Sequence, residues 1–300
     1  MKNDTLITGS IAIGIAAILW GLDGVVLTPR LYNLPVEFVV FILHALPFLL
    51  MNIFLYKQYS YLKVFSLKDV SVLLLVALLG GSIGTIAIVK ALFLVNFQEL
   101  SVVVLLQKLQ PIFAISLAAI LLKEKLTKNF GIWAIVATLA GYTLAFGFHL
   151  PNMQADSNSV LASLYALLAA ISFGGSTVFG KKALAKYSFK TITFYRYGFA
   201  SVMMFFLVLI LGQINQFQFV TNQNAVFFVV ISLTTGSGAI FLYYIGLNNV
   251  KAMVATMVEL LFPISSVLFD YWINKNTLSP VQWVSAAVMI FAIVNLNRTN

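Results

Sequence analysis

Long apolar runs alternate with short polar stretches along the whole chain. Each run is about as long as the roughly 20 residues that a helix needs to cross a bilayer. Polar breaks separate them, and the most polar break, at 151–159, lies at the middle of the chain. The pattern predicts ten membrane-spanning helices, at 6–27, 36–56, 70–90, 100–122, 130–149, 160–181, 190–211, 225–246, 252–273 and 281–297.

One segment of the first half recurs in the second half. At an offset of 152 residues, LQPI at 109–112 aligns with LFPI at 261–264, and KEKLT at 123–127 aligns with KNTLS at 275–279. We therefore expect two five-helix repeats, over 1–150 and 160–297. Because five is an odd number of spans, the second repeat would insert upside down, and inverted repeats place a substrate site between the halves.

Composition narrows the class of protein. The chain is 61% hydrophobic and 9% charged, whereas soluble domains carry about 25% charged residues. This predicts an all-α integral membrane protein with no room for a soluble domain. Cysteine is absent, so neither disulfides nor cysteine-ligated metal sites are possible. We expect no metal and no cofactor.

Basic residues predict the orientation. With the N-terminus in the cytoplasm, thirteen Lys and Arg side chains fall in cytoplasmic segments and two, Arg30 and Lys275, fall on the other side. Both termini are then cytoplasmic. The net charge of +9 is explained by orientation in the bilayer, and we expect no nucleic-acid partner. Either a monomer or a homodimer is compatible with the sequence.

Several short motifs occur in a recognisable order. They are TrpGly at 20–21, PheGlyGly at 173–175, the arginine of FYRYGFA at 194–200, and LQPIF followed by KEKLT. Together they resemble the EamA branch of the drug/metabolite transporter superfamily. The resemblance implies ten helices, a central cavity between halves, and movement of small metabolites across what we expect to be a bacterial inner (plasma) membrane. His44, Phe173 and Asn276 depart from the family pattern, which has arginine and tryptophan at the first two positions; Asn276 stands where the first repeat has Glu124.

Charges within the predicted spans are candidate site residues, because a charge at mid-bilayer costs at least about 2.5–3.5 kcal/mol. Lys108 lies about eight residues into its span, about 12 Å deep at 1.5 Å per residue. Glu259 lies at a similar depth and shares a helix face with Thr256. Lys108 and Glu259 either contact substrate or form a structural ion pair. Beside them, Pro111 and Pro263 have no N–H group, so the carbonyls of Gln107 and Glu259, four residues earlier, lose their helical hydrogen bonds.

Four further residues have two interpretations each. Trp20 and Asp23 share a face that suits a cationic or aromatic ligand, or they belong to an interfacial belt. His44 either contacts substrate or is a hydrogen-bonded structural histidine. Arg196 either lines the cavity or extends its side chain to the cytoplasmic surface. Tyr243 is assigned to packing, as is Tyr244.

The favoured function is secondary transport by alternating access. The substrate would be a small organic metabolite, either amino-acid- or nucleoside-like or a drug. We expect export, and proton coupling through Glu259 is one possible mechanism. An ATP-binding GxxxxGK[ST] motif is absent. The alternative is a membrane-embedded enzyme or a flippase for lipid-linked substrates that does not hydrolyse ATP. With two histidines, no HExxH and no GxSxG, we expect no enzyme.

Overall fold

A computed structural model describes residues 2–94, 106–107, 109–148, 157–275 and 277–298, and throughout these ranges the regular structure is helical, without strands. The predicted all-α class is therefore confirmed for the described residues. The α-helices are α1 Lys2–Leu22, α2 Val36–Leu55, α3 Leu67–Val76, α4 Gly84–Leu94, α5 Gln110–Leu121, α6 Lys128–Phe146, α7 Ser157–Leu184, α8 Phe189–Ile210, α9 Asn222–Ile231, α10 Ser237–Asn249, α11 Ala252–Val258, α12 Leu261–Ile273 and α13 Pro280–Arg298.

Within the described ranges, seven helical segments are long and apolar enough to cross a membrane. They are Asp4–Leu31, Val36–Lys63, Leu67–Leu94, Val160–Leu184, Phe189–Ile210, Asn222–Asn249 and Ala252–Ile273. Two shorter apolar helices are Gln110–Leu121 and Pro280–Leu296. Each of these nine segments overlaps a predicted span. In the fourth predicted span, 100–122, residues 100–105 and Lys108 lie outside the described residues.

One pair of corresponding spans, the third and the eighth, widens into π-helical turns at Ala77–Ile83 and Ser232–Gly236. A π turn carries an extra residue, so backbone carbonyls there lose their usual partners. In each of these two turns a side-chain hydroxyl donates to the backbone carbonyl five residues before it. Thr85 Oγ1 donates to the Gly80 carbonyl at 3.1 Å, and Ser237 Oγ donates to the Ser232 carbonyl at 2.6 Å. The two pairs lie 152 residues apart, which is the offset of the sequence repeat.

Other local features recur at similar spacing. A capping box of Ser66 and Asp69 begins α3, and one of Thr221 and Asn224 begins α9. Lys123 adopts a φ of 55° and Lys275 a φ of 61°, the left-handed conformation that often ends a helix. The two halves therefore use the same devices to start and stop corresponding helices.

The halves pack closely on each other. Helix α1 lies against α10 and α12, while α7 lies against α4 and α5; α2 packs on α8, and α6 on α13. Small residues allow the close approach of α1 and α10, since a Cβ added at Gly9 would lie 3.0 Å from the Gly246 carbonyl oxygen. Every one of these contacts joins residues before 150 to residues after 157.

Polar contacts hold the turn between α10 and α11. The carboxylate of Glu124, from the segment after α5, accepts the N–H groups of Ala252 and Met253 at 2.8 and 3.0 Å. Lys181 Nζ donates to the carbonyls of Leu247 and Asn248 at 2.8 and 3.1 Å. An anion thus caps the start of α11 and a cation the end of α10, as their helix dipoles favour.

Two further carboxylates of the first half, Glu37 and Asp69, accept hydrogen bonds from residues of the second half. Glu37, at the start of α2, forms an ion pair with Lys90 of α4 and accepts from Gln213 Nε2 at 3.2 Å. Lys186, in the connection after α7, donates to Asp69 Oδ2 at 2.6 Å. That hydrogen bond raises the pKa of Lys186. In both places a residue of one half contacts a residue of the other.

Candidate functional site

Glu259 lies where a spanning helix breaks. Helix α11 ends at Val258 and α12 begins at Leu261. Pro263 has no N–H to give the Glu259 carbonyl, which instead accepts from Phe262 N at 2.9 Å. The break separates the two helices by a tight turn and presents the Glu259 side chain to the neighbouring helices.

Three hydroxyl or amide groups from three other helices surround this carboxylate. Gln110 Nε2 donates to Oε2 at 2.6 Å, and the Tyr243 hydroxyl donates to Oε1 at 2.8 Å. Thr177 Oγ1 lies 2.7 Å from the Tyr243 hydroxyl and 3.5 Å from Oε1. Gln110 belongs to the first half and the other two to the second. The Glu259 carboxylate is therefore a contact point between the halves.

A small cavity of about 40 Å³ opens beside Glu259. Its polar lining consists of Gln107, Gln110, Thr256 and Glu259, and the two helix-breaking prolines, Pro111 and Pro263, are also among its walls. Thr256 Oγ1 is buried and, within the described part of the chain, has no hydrogen-bond partner. This volume holds a few water-sized molecules, whereas drug-sized ligands occupy pockets of about 300–1,000 Å³.

Of the predicted aromatic and acidic pair, Trp20 borders the Glu259 cluster. Its ring centroid lies 5.4 Å from that of Tyr243. Asp23 begins a π-helical turn, Asp23–Leu27, and accepts from Thr235 Oγ1 at 3.1 Å. The two residues thus contact different neighbours, and Trp20 alone of the pair contacts a residue bonded to Glu259.

Of the two interpretations of Arg196, the extension of its side chain to the cytoplasmic surface is wrong. Its side chain is buried, with donors to the Tyr244 hydroxyl at 3.0 Å and to the Gly80 carbonyl at 2.9 Å. The π turn at Ala77–Ile83 exposes that carbonyl to the inside of the bundle. These internal acceptors take one donor from each terminal nitrogen of the guanidinium, while Nε is buried and has no hydrogen-bond partner among the described residues.

His44 is also buried, and its position agrees with the structural interpretation. Nδ1 lies 2.8 Å from the Val40 carbonyl one turn earlier in α2, and the ring faces Tyr197 at a centroid distance of 5.3 Å. Of the other predicted residues, Gln107 lines the cavity, and Lys108 lies outside the described residues.

Sequence reasoning missed three contributors to the cluster. Gln110 lies inside the LQPI motif, which indicated the repeat and the family resemblance but was not predicted to bind anything. Tyr243 was assigned to packing, although its hydroxyl bonds Glu259. Thr177 was not singled out. A signal for Gln110 existed, because it is a second polar residue three positions after Gln107 and so shares its helix face.

Comparisons with known proteins agree with this architecture. The model of the EamA-like transporter family matches the chain twice, over residues 7–147 and 160–298. The chain belongs to the EamA-like transporter family. Family membership and the apolar helices together make it an integral membrane transporter, which points away from an enzyme.

Individual relatives extend the comparison. A riboflavin transporter, ImpX, of Fusobacterium nucleatum subsp. nucleatum is 53% identical over 298 residues, covering 99% of this chain and 100% of its own. An uncharacterized transporter of Synechocystis sp. is 23% identical over 248 residues, covering 79% of this chain and 68% of its own. A crystal structure of 16% identity superposes with a TM-score of 0.72 over 95% of each chain and shares the fold.

Proposed function

We propose that this protein carries riboflavin or a close flavin relative across the bacterial inner membrane by alternating access. The observation that carries the proposal is the 53% identity, over the full length, to a protein named as a riboflavin transporter. Riboflavin joins a heterocycle to a sugar-alcohol chain, so it belongs to the nucleoside-like class expected from the sequence. Its neutral charge suits a cavity with few ions.

The substrate site in this proposal is the cavity beside Glu259. The cavity is bordered by broken or kinked segments of both halves, and the carboxylate is bonded from both. A flavin exceeds about 40 Å³, so the halves must separate around Glu259 to admit it. Such a movement would break the contacts that cross between the halves and replace them with contacts to the substrate.

The proposal includes the predicted topology. Ten spans, two inverted repeats and cytoplasmic termini are supported by the two family matches and by the charge distribution of the loops. The matching π turns, capping boxes and left-handed lysines add further support. In this arrangement Glu124 and Lys181 lie towards the cytoplasm, and Glu37 and Lys90 lie towards the opposite side.

Four of the predicted residues have roles at this site. Glu259, Gln107 and Trp20 contact substrate. Lys108, next to Gln107 in sequence, contributes a charge to the same site. Proton coupling through Glu259 is the mechanism by which a neutral solute is concentrated, because a carboxyl group inside a membrane gains and loses a proton as its hydrogen-bond donors move.

Purified protein in proteoliposomes tests the proposal. We expect saturable riboflavin flux that accelerates when unlabelled riboflavin is placed on the far side, since counterflow distinguishes a carrier from a channel. Flux measured with riboflavin on either side gives the preferred direction, and an imposed pH gradient reveals coupling. Vesicles with Asp270→Asn, a change at a residue outside the cluster, serve as a matched acidic control for Glu259→Gln. Absence of riboflavin flux, with folded protein and movement of another metabolite, would overturn the proposal.

A further inference from the structure

The polar groups of the cavity lie together and have bonding capacity to spare. Gln110 uses one of its two N–H groups on Glu259, which leaves a donor and its amide oxygen. Among the described residues, the buried hydroxyl of Thr256 has no partner. Buried polar atoms are almost always bonded, so the orphan hydroxyl on this cavity wall is open to a polar partner, either a water molecule or a polar group of a ligand.

These groups form a particular pattern. The Glu259 carboxylate is an acceptor, and the amides of Gln107 and Gln110 and the Thr256 hydroxyl supply donors around it. The complementary ligand edge has one N–H donor flanked by two carbonyl acceptors, which is an imide. The flavin ring has one such edge, at C2=O, N3–H and C4=O. The opposite edge of the ring carries two methyl groups, and the ribityl chain is attached between the two edges.

We infer that this polar wall binds the imide edge of the flavin ring, with N3–H donating to Glu259 and the ring carbonyls accepting from the glutamine amides and Thr256. The inference rests on the proposed riboflavin transport and adds the orientation of the substrate in the site. The methylated end of the ring then points away from Glu259, towards the apolar part of the cavity. Residues of the wall are specificity determinants, because a ligand without the imide donor leaves the carboxylate unpaired.

Binding of three ligands to purified protein in detergent tests this orientation. The ligands are riboflavin, 3-methylriboflavin, which lacks the N3–H, and lumiflavin, which lacks the ribityl chain. Riboflavin fluorescence quenching or calorimetry gives each dissociation constant. For the wild type we expect methylation at N3 to weaken binding at least tenfold and loss of the ribityl chain to have a smaller effect.

Two variants complete the test. Glu259→Gln is expected to weaken riboflavin binding while binding 3-methylriboflavin as the wild type does, so that the preference for riboflavin disappears. Thr256→Val removes a hydroxyl that makes no hydrogen bond to any described residue, so it should fold normally and still reduce the preference severalfold. Thr138→Val is the matched control, because the Thr138 hydroxyl bonds the Ala134 carbonyl of its own helix, α6, which contributes no residue to the cavity wall.

The outcomes separate this inference from the proposed function. If wild-type protein binds 3-methylriboflavin as tightly as riboflavin, or if the preference survives in both Glu259→Gln and Thr256→Val, the orientation is wrong although riboflavin transport stands. If the affinity for lumiflavin is instead the same in the wild type and in Glu259→Gln, the ribityl chain occupies the polar wall and the orientation is also wrong. If folded wild-type protein binds no flavin, the proposed function fails and this inference fails with it.

Discussion

Glu259 and Arg196 are both charged residues inside the membrane-spanning bundle, but their surroundings differ. Glu259 is bonded by side chains from three helices of both halves and borders a cavity with an unpaired hydroxyl. Arg196 bonds a backbone carbonyl and one tyrosine. A backbone carbonyl fixed by a π turn is a permanent partner, whereas side-chain donors can rotate away.

If Glu259 binds substrate as proposed, depth in the membrane does not by itself distinguish a binding residue from a structural one, and the type of hydrogen-bond partner is the better guide. Arg196 joins α8 to the π turn after α3 and so holds two helices together. Glu259 holds the halves together through contacts that a ligand can replace. Loss of Arg196 should therefore affect stability first, and loss of Glu259 should affect transport first.

Arg196→Met is expected to have the largest effect. It removes two charge-assisted hydrogen bonds, each worth about 1.5–3 kcal/mol. The Gly80 carbonyl then keeps the Thr85 hydroxyl as a donor, and the Tyr244 hydroxyl loses its guanidinium donor. We expect the free energy of unfolding to fall by about 3 kcal/mol or more, and thermal unfolding in detergent measures this. Arg196→Lys keeps the charge and should recover part of the loss. A stable Arg196→Met protein with selective loss of riboflavin binding would contradict the structural role.

Glu259→Gln is the converse experiment. Glutamine has the same shape and still accepts from Tyr243 and Thr177, so the unfolding temperature should change little. Removal of the charge should reduce riboflavin flux at least tenfold, a change of about 1.4 kcal/mol. Flux into proteoliposomes and thermal unfolding are measured on the same preparation. A variant that transports normally but unfolds early would reverse the comparison.

The sequence predicted much of the fold and part of the site, for physical reasons. Spans are readable because a bilayer imposes a minimum length of apolar helix, and Glu259 stood out because charge is expensive there. The burial of Arg196 was not readable, since its acceptor at Gly80 exists only through a π turn whose extra residue leaves no mark in composition. Tyr243 was missed because a tyrosine in an apolar helix resembles a packing residue until its hydroxyl finds a partner.

Tyr243→Phe should have an intermediate effect. It deletes the hydroxyl that donates to Glu259 Oε1 but keeps the ring that packs on Trp20. A hydrogen bond is worth about 1 kcal/mol net, so we expect riboflavin flux to fall about fivefold. Tyr142→Phe, in α6, is the control. The effect should be smaller when Tyr243→Phe is combined with Glu259→Gln, because a neutral amide oxygen accepts the Tyr243 hydroxyl more weakly than a carboxylate does. Full additivity of the two would contradict a shared contact.

Glu124→Ala is expected to have the smallest effect. The carboxylate caps α11 through the N–H groups of Ala252 and Met253, and loss of such a cap costs about 1 kcal/mol. We expect a modest decrease in unfolding temperature, measured beside Lys182→Ala as a charged control in the same region. Because α11 leads directly to Glu259, a decrease as large as that of Arg196→Met would show that the cap, and not the guanidinium, is the main structural contact.

The most direct test of the central claim uses the absence of cysteine in the chain. A single cysteine introduced as Thr256→Cys is a unique probe on the cavity wall, and Gln223→Cys, at an exposed position in α9, is its control. With a variant that retains riboflavin flux, labelling by a small water-soluble thiol reagent is timed with and without riboflavin. We expect riboflavin to slow labelling of the cysteine at position 256 and to leave the labelling rate at position 223 unchanged. Equal labelling rates at position 256 with saturating riboflavin would contradict a substrate site beside Glu259.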